Sequence, residues 1–175
     1  MIAINNLLVE LDENITDLKI FKVNLATESI PKEYYSFMDE IFKQMDDADK
    51  KYNTRLYGFN QETEDNDEPM SDKMVKKFWK PKKLILFFLL KNEKPIGFAD
   101  VYPYNIYYKD SITIKQFGIL KKYRGRGYGS FLMNAIQTEF KNKHHVLNVN
   151  AFNKTGISLY TKFNFKPVVY TMMKF

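Results

Sequence analysis

The chain contains no cysteine, which excludes disulfide bonds, thiolate zinc sites and a cysteine nucleophile. Seven glycines and six prolines among 175 residues are too few for a low-complexity or fibrous protein. The longest apolar run, residues 84–90, is far shorter than the roughly 18 to 20 residues that a membrane helix needs. The first residues also lack the basic and then apolar pattern of a signal peptide. We therefore expect a cytoplasmic protein with no membrane partner.

The composition that is present suits one packed domain. Hydrophobic residues make up 45% of the chain and aromatic residues 16%, so we expect a single domain over residues 1–175. The net charge of +6 is unevenly divided, because residues 1–72 carry 7 basic and 17 acidic side chains and residues 73–175 carry 20 and 4. Such a molecule can present one surface to a polyanion and another to a cation, or simply two solvated surfaces of opposite sign.

Hydrophobic periodicity divides the chain into strands and helices. Residues 18–25 alternate apolar and charged side chains, as in a half-buried strand, and an apolar stripe predicts a helix from Pro31 to Met45. We interpret the acidic stretch 46–72 as a long surface excursion. The later predicted elements are a short helix ending at Trp79, strands 84–90, 95–102 and 112–120, a helix over 128–140, a strand 146–150, a helix 153–163 and a final strand 165–173. A turn over residues 91–94 predicts that the first two of these strands form a hairpin. This order predicts an α/β (α+β) fold with a mixed sheet and one parallel crossover.

Residues 117–130, FGILKKYRGRGYGS, join a predicted strand to a predicted helix. The alternating glycines of this segment are Gly125, Gly127 and Gly129. They remove the β-carbons that would hold a ligand away from the backbone N–H groups of the first helical turn, where the helix dipole favours an anion. Side chains that can add donors are Arg124, Arg126 and Ser130. The segment therefore predicts a pyrophosphate site, although a glycine-rich turn can also serve only to pack a helix on a sheet.

The spacing of this segment, R-x-x-G-x-G, fits neither the dinucleotide fingerprint nor the Walker loop. It resembles the Q/R-x-x-G-x-G/A signature of the GNAT superfamily of N-acetyltransferases. A second block, Asn153 with residues 159–165 (LYTKFNF), resembles the N-x-x-A-x-x-x-Y-x-x-x-G-F ending of that family. Two residues depart from the pattern. Gly156 replaces an alanine, at a helix-propensity cost of about 1 kcal/mol but with room for close approach, and Asn164 replaces a glycine in a position where left-handed backbone is expected.

The resemblance, which is specific over residues 112–165, implies a fold, a cofactor and a reaction. The implied fold is the GNAT acyl-CoA acyltransferase fold, a mixed central sheet with a splayed fourth strand. The implied reaction is direct transfer of an acetyl group from acetyl-CoA to an amine in a ternary complex, without a metal. The residues that the resemblance assigns to coenzyme A are Phe117, Gly118, Ile119, Arg124, Gly125, Arg126, Gly127, Tyr128, Gly129, Ser130 and Asn153. The plain interpretation of Asn153 is the N-cap of the last helix, and the two roles are compatible.

By the same resemblance, Tyr160 is the candidate general acid that protonates the leaving thiolate. Without the motif, a tyrosine on a helix that faces a core would be interpreted as packing. A protonated amine also needs a general base, and residues 73–175 contain only four acids. Asp100, near the end of the strand beside the splayed one, is the candidate base. A water chain, or Asp39 or Glu40 on the first helix, would serve as well.

The sequence thus favours an N-acetyltransferase that acts on a cationic small molecule or a peptide amine. Two other hypotheses stay open. The basic RGRG surface could mark a nucleic-acid-binding module, which we disfavour because no aromatic RNA-binding signature is present. The chain could also be a non-catalytic GNAT relic that only binds acyl-CoA. The acceptor, the acyl length and the formation of a homodimer are not defined by the sequence.

Overall fold

The computed structural model describes residues 17–57, 84–103 and 108–169, which form a five-stranded sheet with helices on both faces. The strands are β1 (Leu18–Asn24), β2 (Ile85–Lys91), β3 (Lys94–Tyr102), β4 (Ser111–Ile119) and β5 (His144–Leu147). The helices are α1 (Tyr35–Tyr57), α2 (Tyr128–Glu139) and α3 (Lys154–Lys162), with short 3-10 turns at Lys32–Tyr34 and Lys121–Tyr123. Strand order follows chain order, and only the β4–β5 pair is parallel. The predicted mixed sheet and its parallel crossover through α2 are confirmed.

Strands β2 and β3 form the predicted hairpin. Its two turn residues, Asn92 and Glu93, both have positive φ, at 49° and 61°. Two successive left-handed residues give the turn the twist that an antiparallel hairpin requires. The hairpin places β3 in the centre of the sheet, where β4 pairs with its other edge.

The core consists of two layers, one on each face of the sheet. On one face, Met38 and Ile41 of α1 and Phe88 of β2 are completely buried. On the other face, Leu132 and Ile136 of α2 are completely buried against side chains of β2, β3 and β4. Each such side chain contributes about 1.5 to 3 kcal/mol when it is removed from water. Helices α1 and α2 are therefore fixed on opposite sides of the same strands.

Helix α1 is longer than the sequence predicted. The prediction of a surface excursion from residue 46 was wrong for residues 46–57, which continue the helix to Tyr57. The apolar stripe fades there, but no glycine or proline interrupts residues 46–57. Acids are followed four residues later by lysines, at 46 and 50 and at 47 and 51, and this spacing favours helix formation. The rest of the predicted excursion and the short helix ending at Trp79 lie outside the described residues.

The predicted end of the sheet needs two corrections. Strand β5 covers His144–Leu147 rather than 146–150, because its parallel partner on β4 ends at Ile114 and residues 148–150 have no strand beside them. The final strand predicted over 165–173 does not form in residues 165–169, where Val168 and Val169 are exposed and no ladder is present. Residues 170–173 of that prediction lie outside the described part of the chain.

Candidate functional site

Strands β4 and β5 pair along only the first part of β4. Ser111–Ile114 lie beside His144–Leu147, after which β4 continues to Ile119 without β5. On its other edge β4 stays paired with β3 as far as Ile119, opposite Gly97. Among the described residues, the last residues of β4 therefore have a strand on one side and an unpaired edge on the other, which we call the opening, at the end from which the loop to α2 leaves.

The backbone of β4 presents polar groups to this opening. Leu120 N donates to Ile96 O at 2.9 Å, so the N–H and C=O groups of Leu120 face β3. Those of Gly118, two residues earlier, face the same way. By the alternation of a strand, those of Phe117 and Ile119 face the opening. The carbonyl of Ile119 accepts a hydrogen bond from Nε of Arg124 at 2.8 Å. An extended ligand could thus pair with Phe117 and with the N–H of Ile119 as an added strand.

The loop after β4 delivers backbone N–H groups to the start of α2. Gly125 and Gly127 have φ of 76° and 79°, in the left-handed region that favours glycine. Gly127 is the N-cap of α2, and in the part of the chain that the structure describes no side chain caps this helix start. A Cβ at Gly125 would meet no atom within 4 Å. The loop therefore combines open space with uncapped donors at a helix N-terminus, as a bound phosphate requires.

Helix α3 places Tyr160 beside β4. Its ring meets Phe117 edge-on, with centroids 6.3 Å apart, and Phe165 with centroids 5.8 Å apart. Burial raises the pKa of the Tyr160 phenol above its ordinary value of 10.0. The phenol is therefore protonated at neutral pH, as a proton donor must be.

Asn153 begins α3. Its Oδ1 accepts a hydrogen bond from Gly156 N at 2.8 Å, so the plain interpretation of Asn153 as an N-cap is confirmed. A Cβ at Gly156 would lie 2.7 Å from Nδ2 of Asn153, which explains why glycine stands there. The group that approaches Gly156 closely is thus the side chain of Asn153, which also caps the helix. Asn164 has φ of 63°, so the left-handed backbone expected after α3 is also present.

Residues 43–165, well over half of the chain, match the model of the acetyltransferase (GNAT) family. The chain belongs to the GNAT family. A sequence comparison with the curated proteins gives no match. Among solved structures, a mutant of the BH1408 protein from Bacillus halodurans is similar, with a TM-score of 0.67 and 16% identity over 89% of this chain and 98% of that one. The five-stranded mixed sheet described above is the GNAT fold.

Two further solved structures share the fold. The aminoglycoside acetyltransferase meta-AAC0020 from an uncultured soil metagenomic sample, in complex with sisomicin, has a TM-score of 0.58 and 13% identity over 93% of this chain and 99% of that one. AAC(6')-Iy, in complex with the bisubstrate analog CoA-S-monomethyl-acetylneamine, has a TM-score of 0.58 and 15% identity over 90% of this chain and 98% of that one. At these identities the likeness concerns the fold alone.

The glycine that this GNAT chain carries in β4 faces a helix. A Cβ at Gly118 would lie 3.2 Å from Sδ of Met45 and 3.3 Å from Cδ1 of Ile41, both on α1. The structure thus gives Gly118 a packing reason, because α1 lies close against β4. Gly129, at the other face, would place a Cβ 3.5 Å from Leu159 and 3.8 Å from Phe117. Both glycines allow close packing around the end of β4, and their predicted contacts with coenzyme A stay predictions.

The remaining predicted contacts differ in exposure. Arg126 is exposed beside the loop, Ser130 is half-buried in the first turn of α2, and Tyr128 is buried at 8% exposure. Nζ of Lys91, a residue that the sequence did not single out, lies 5.5 Å from the centre of the Tyr128 ring. The loop therefore has a further positive charge next to it.

Asp100 lies in β3 opposite Gln116 of β4 and is only 1% exposed. Its Oδ1 accepts a hydrogen bond from the backbone N–H of Gln116 at 2.5 Å. This contact is with the backbone of the splayed strand. The role of Asp100 as a general base stays a prediction.

No sequence pattern singled out Gln44 of α1. Its Oε1 accepts a hydrogen bond from Lys121 N at 2.8 Å, at the first residue of the loop, and its Nε2 donates to Glu40 at 3.2 Å. The pattern that the sequence shows for α1 is an apolar stripe, and Gln44, a polar residue, is not part of it. The contact becomes apparent only from the packing of α1 on β4. Helix α1 is therefore joined to the loop as well as to the strand.

Two absences apply to the described ranges 17–57, 84–103 and 108–169. Within them, no group of three or more histidine, aspartate or glutamate side chains is arranged to hold a metal ion. None of the helices there is both long enough and apolar enough to cross a bilayer.

Proposed function

We propose that this GNAT protein is an acetyl-CoA-dependent N-acetyltransferase that transfers an acetyl group directly to an amine of a cationic small molecule or peptide. The observation that carries the proposal is the half-paired end of β4. It has backbone groups facing an opening, a helix N-terminus directly after it and Tyr160 packed against Phe117.

The residues present fit acetyl-CoA. The pyrophosphate would lie at the N–H groups of Tyr128, Gly129 and Ser130, where Gly125 leaves open space. The exposed guanidinium of Arg126 would offset its charge. The pantetheine arm would pair with the backbone of residues 117–119 as an added strand.

Acetyl-CoA, when bound, supplies the thioester from which the acetyl group passes. The N–H of Ile119 or Phe117, facing the opening, is the backbone donor that would stabilise negative charge on the thioester oxygen. Tyr160 holds a proton on its phenol and donates it toward the thiolate that leaves. The acceptor ammonium must first lose a proton, and Asp100 or a water chain remains the predicted route.

A cationic acceptor is supported by charge and by the structural relatives. Residues 1–72, which include α1, carry 17 acidic and 7 basic side chains, and α1 packs on β4 beside Gly118. The similar structures of meta-AAC0020 and AAC(6')-Iy are complexes with sisomicin and with the bisubstrate analog CoA-S-monomethyl-acetylneamine. Both are amine-rich ligands. We therefore place polyamines and aminoglycosides first among the acceptors to be tested.

The test combines binding and turnover. Calorimetry with acetyl-CoA, and thiol release with a panel of polyamines, aminoglycosides, amino acid derivatives and peptides, should show binding and amine-dependent release. Acetyl-CoA binding without release for any amine would contradict the transferase and indicate an acyl-CoA-binding relic. A salt-dependent shift of nucleic acid that survives excess acetyl-CoA, in a protein without release, would indicate the nucleic-acid-binding module instead.

A further inference from the structure

The pairing of β3 with β4 shifts at one point. Asp100 lies opposite Gln116, whereas the next residue, Val101, lies opposite Ile114. Lys115 is therefore an extra residue in β4, which is the arrangement of a β-bulge. A bulge bends its strand and increases the local twist.

The bulge coincides with the place where β4 leaves β5. Ile114 is the last residue of β4 that pairs with β5, and Lys115 follows it directly. Beyond the bulge, Phe117 and Ile119 turn their backbone groups toward the opening. The bulge at Lys115 thus lies at the point where the β4–β5 pairing on which the proposed cofactor site depends comes to an end.

A buried carboxylate is attached to this bulge. The residue after Lys115, Gln116, donates its backbone N–H to Oδ1 of Asp100 at 2.5 Å, and Asp100 is 1% exposed. Burying a carboxyl group is costly unless it is hydrogen-bonded, and the backbone N–H of Gln116 supplies such a bond. The contact therefore fixes the backbone of β4 at its bend.

We propose that Asp100 is a positioning residue, which holds the bulge of β4 and so aims residues 117–119 at the acyl-CoA arm. The inference rests on the proposed function, because it assigns Asp100 a part in that site. It replaces the base role that the sequence predicted for Asp100. Asp100 then acts through the backbone of Gln116, and the acceptor loses its proton elsewhere.

The two roles make different demands on the side chain. Asparagine can accept the same hydrogen bond from Gln116 through its Oδ1, but it cannot take up a proton as a base. Alanine can do neither. The pair Asp100→Asn and Asp100→Ala therefore separates positioning from proton transfer.

The matched control is Ser111→Ala. Ser111 is also 1% exposed and donates a part-buried hydrogen bond to the carbonyl of Tyr108, and it lies in β4 itself but before the bulge. It reports what the loss of a part-buried side-chain-to-backbone hydrogen bond does to β4 in general. All four proteins are compared by calorimetry with acetyl-CoA, by the pH profile of kcat/KM and by the amide NMR shifts of residues 115–119.

If Asp100 positions the strand, Asp100→Ala should weaken acetyl-CoA binding by about tenfold or more, because it leaves a buried N–H without its acceptor. Asp100→Asn should restore affinity to within about threefold of the wild type with an unchanged pH profile. The amide shifts of residues 115–119 should change in both Asp100 variants and stay in place in Ser111→Ala.

The inference is overturned if Asp100→Asn lowers kcat by about a hundredfold or more with unchanged acetyl-CoA affinity and a lost acidic limb of the pH profile, since a base behaves so. It is also overturned if both variants bind and turn over like the wild type. Should Asp100→Ala not fold, Asp100→Asn and its amide shifts still decide. Failure of the proposed function is distinct, because the wild type itself would then neither bind acetyl-CoA nor release thiol.

Discussion

The two halves of strand β4 differ in how many neighbours they have. Ser111–Ile114 pair with β3 on one side and β5 on the other, whereas Phe117–Ile119 pair with β3 only. The first half completes the sheet. The second half has a row of backbone groups that no described strand pairs with, which is the proposed cofactor site, and a bulge at Lys115 separates the two halves. One strand thus provides both the fold and the proposed site, because its pairing changes along its length.

The largest expected effect comes from removing the proton donor beside the half-paired end. Tyr160→Phe keeps the ring against Phe117 but removes the hydroxyl, so kcat should fall about a hundredfold or more while acetyl-CoA affinity stays the same. Steady-state kinetics and calorimetry measure the two effects.

The control for Tyr160→Phe is Tyr34→Phe. Burial raises the pKa of Tyr34 as it does that of Tyr160, but Tyr34 packs against Phe88 on the opposite face of the sheet. The Tyr34→Phe protein should therefore keep the kcat of the wild type. Equal rates for the wild type and Tyr160→Phe would assign the general acid to another group.

The second effect tests how closely α1 lies on the half-paired end. Gly118→Val places new atoms where a single Cβ would already be 3.2 Å from Met45 Sδ, and we expect a loss of about 1 to 3 kcal/mol in the free energy of unfolding. Urea denaturation measures it. Combining the change with Met45→Ala should recover part of the loss, because the pair then couples. Additive losses would show that Met45 is not the neighbour that matters.

The third effect is a change in stability at the start of α3, whose sign depends on whether residue 153 is asparagine or alanine. Alanine at Gly156 gains about 1 kcal/mol of helix propensity, but its Cβ would lie 2.7 Å from Asn153 Nδ2 and displace a cap that contributes about 1 kcal/mol. Gly156→Ala should therefore leave the stability unchanged or reduced in the wild type. In an Asn153→Ala background it should stabilise by about 1 kcal/mol. Thermal unfolding of the four proteins tests this, and the same sign in both backgrounds would refute the explanation.

The smallest effect is a pH dependence. Because burial raises the pKa of Tyr160 in the folded protein, the unfolded chain releases this proton first as the pH rises past 10.0. The native state then binds more protons, so the contribution of Tyr160 is constant below that pH and stability falls above it. The free energy of unfolding, measured from pH 9 to 11, should fall more steeply in the wild type than in Tyr160→Phe. If the two proteins lose stability with pH at the same slope, the Tyr160 phenol is not buried in the folded protein.

The sequence was sufficient for elements with a strong local pattern. The stripe of α2, the hairpin of β2 and β3 and the cap at Asn153 all follow from periodicity or from a residue that suits one position. The left-handed backbone at Asn164 follows in the same way. These features depend on neighbours within a few residues, so a single sequence contains them.

Features that depend on distant partners were missed. Strand β5 stops pairing with β4 one residue before the bulge at Lys115, and the register of β3 with β4 that defines this bulge is not shown by any local pattern. The contact between Gln44 and Lys121 joins residues far apart in the chain. The glycine motif therefore predicted where a phosphate would bind, and it contained no information on what holds the strand that leads to it.

Helix α1 is attached to the end of β4 at two points, through Ile41 and Met45 against Gly118 and through Gln44 to Lys121. These three helix positions follow a spacing of three and one, so they lie on one side of the helix. The opposite side carries no part of that attachment. In a population of variants, substitutions should be tolerated freely on the outer side and rarely at 41, 44 and 45, so the helix can acquire a new acceptor preference while the cofactor end of the molecule stays the same.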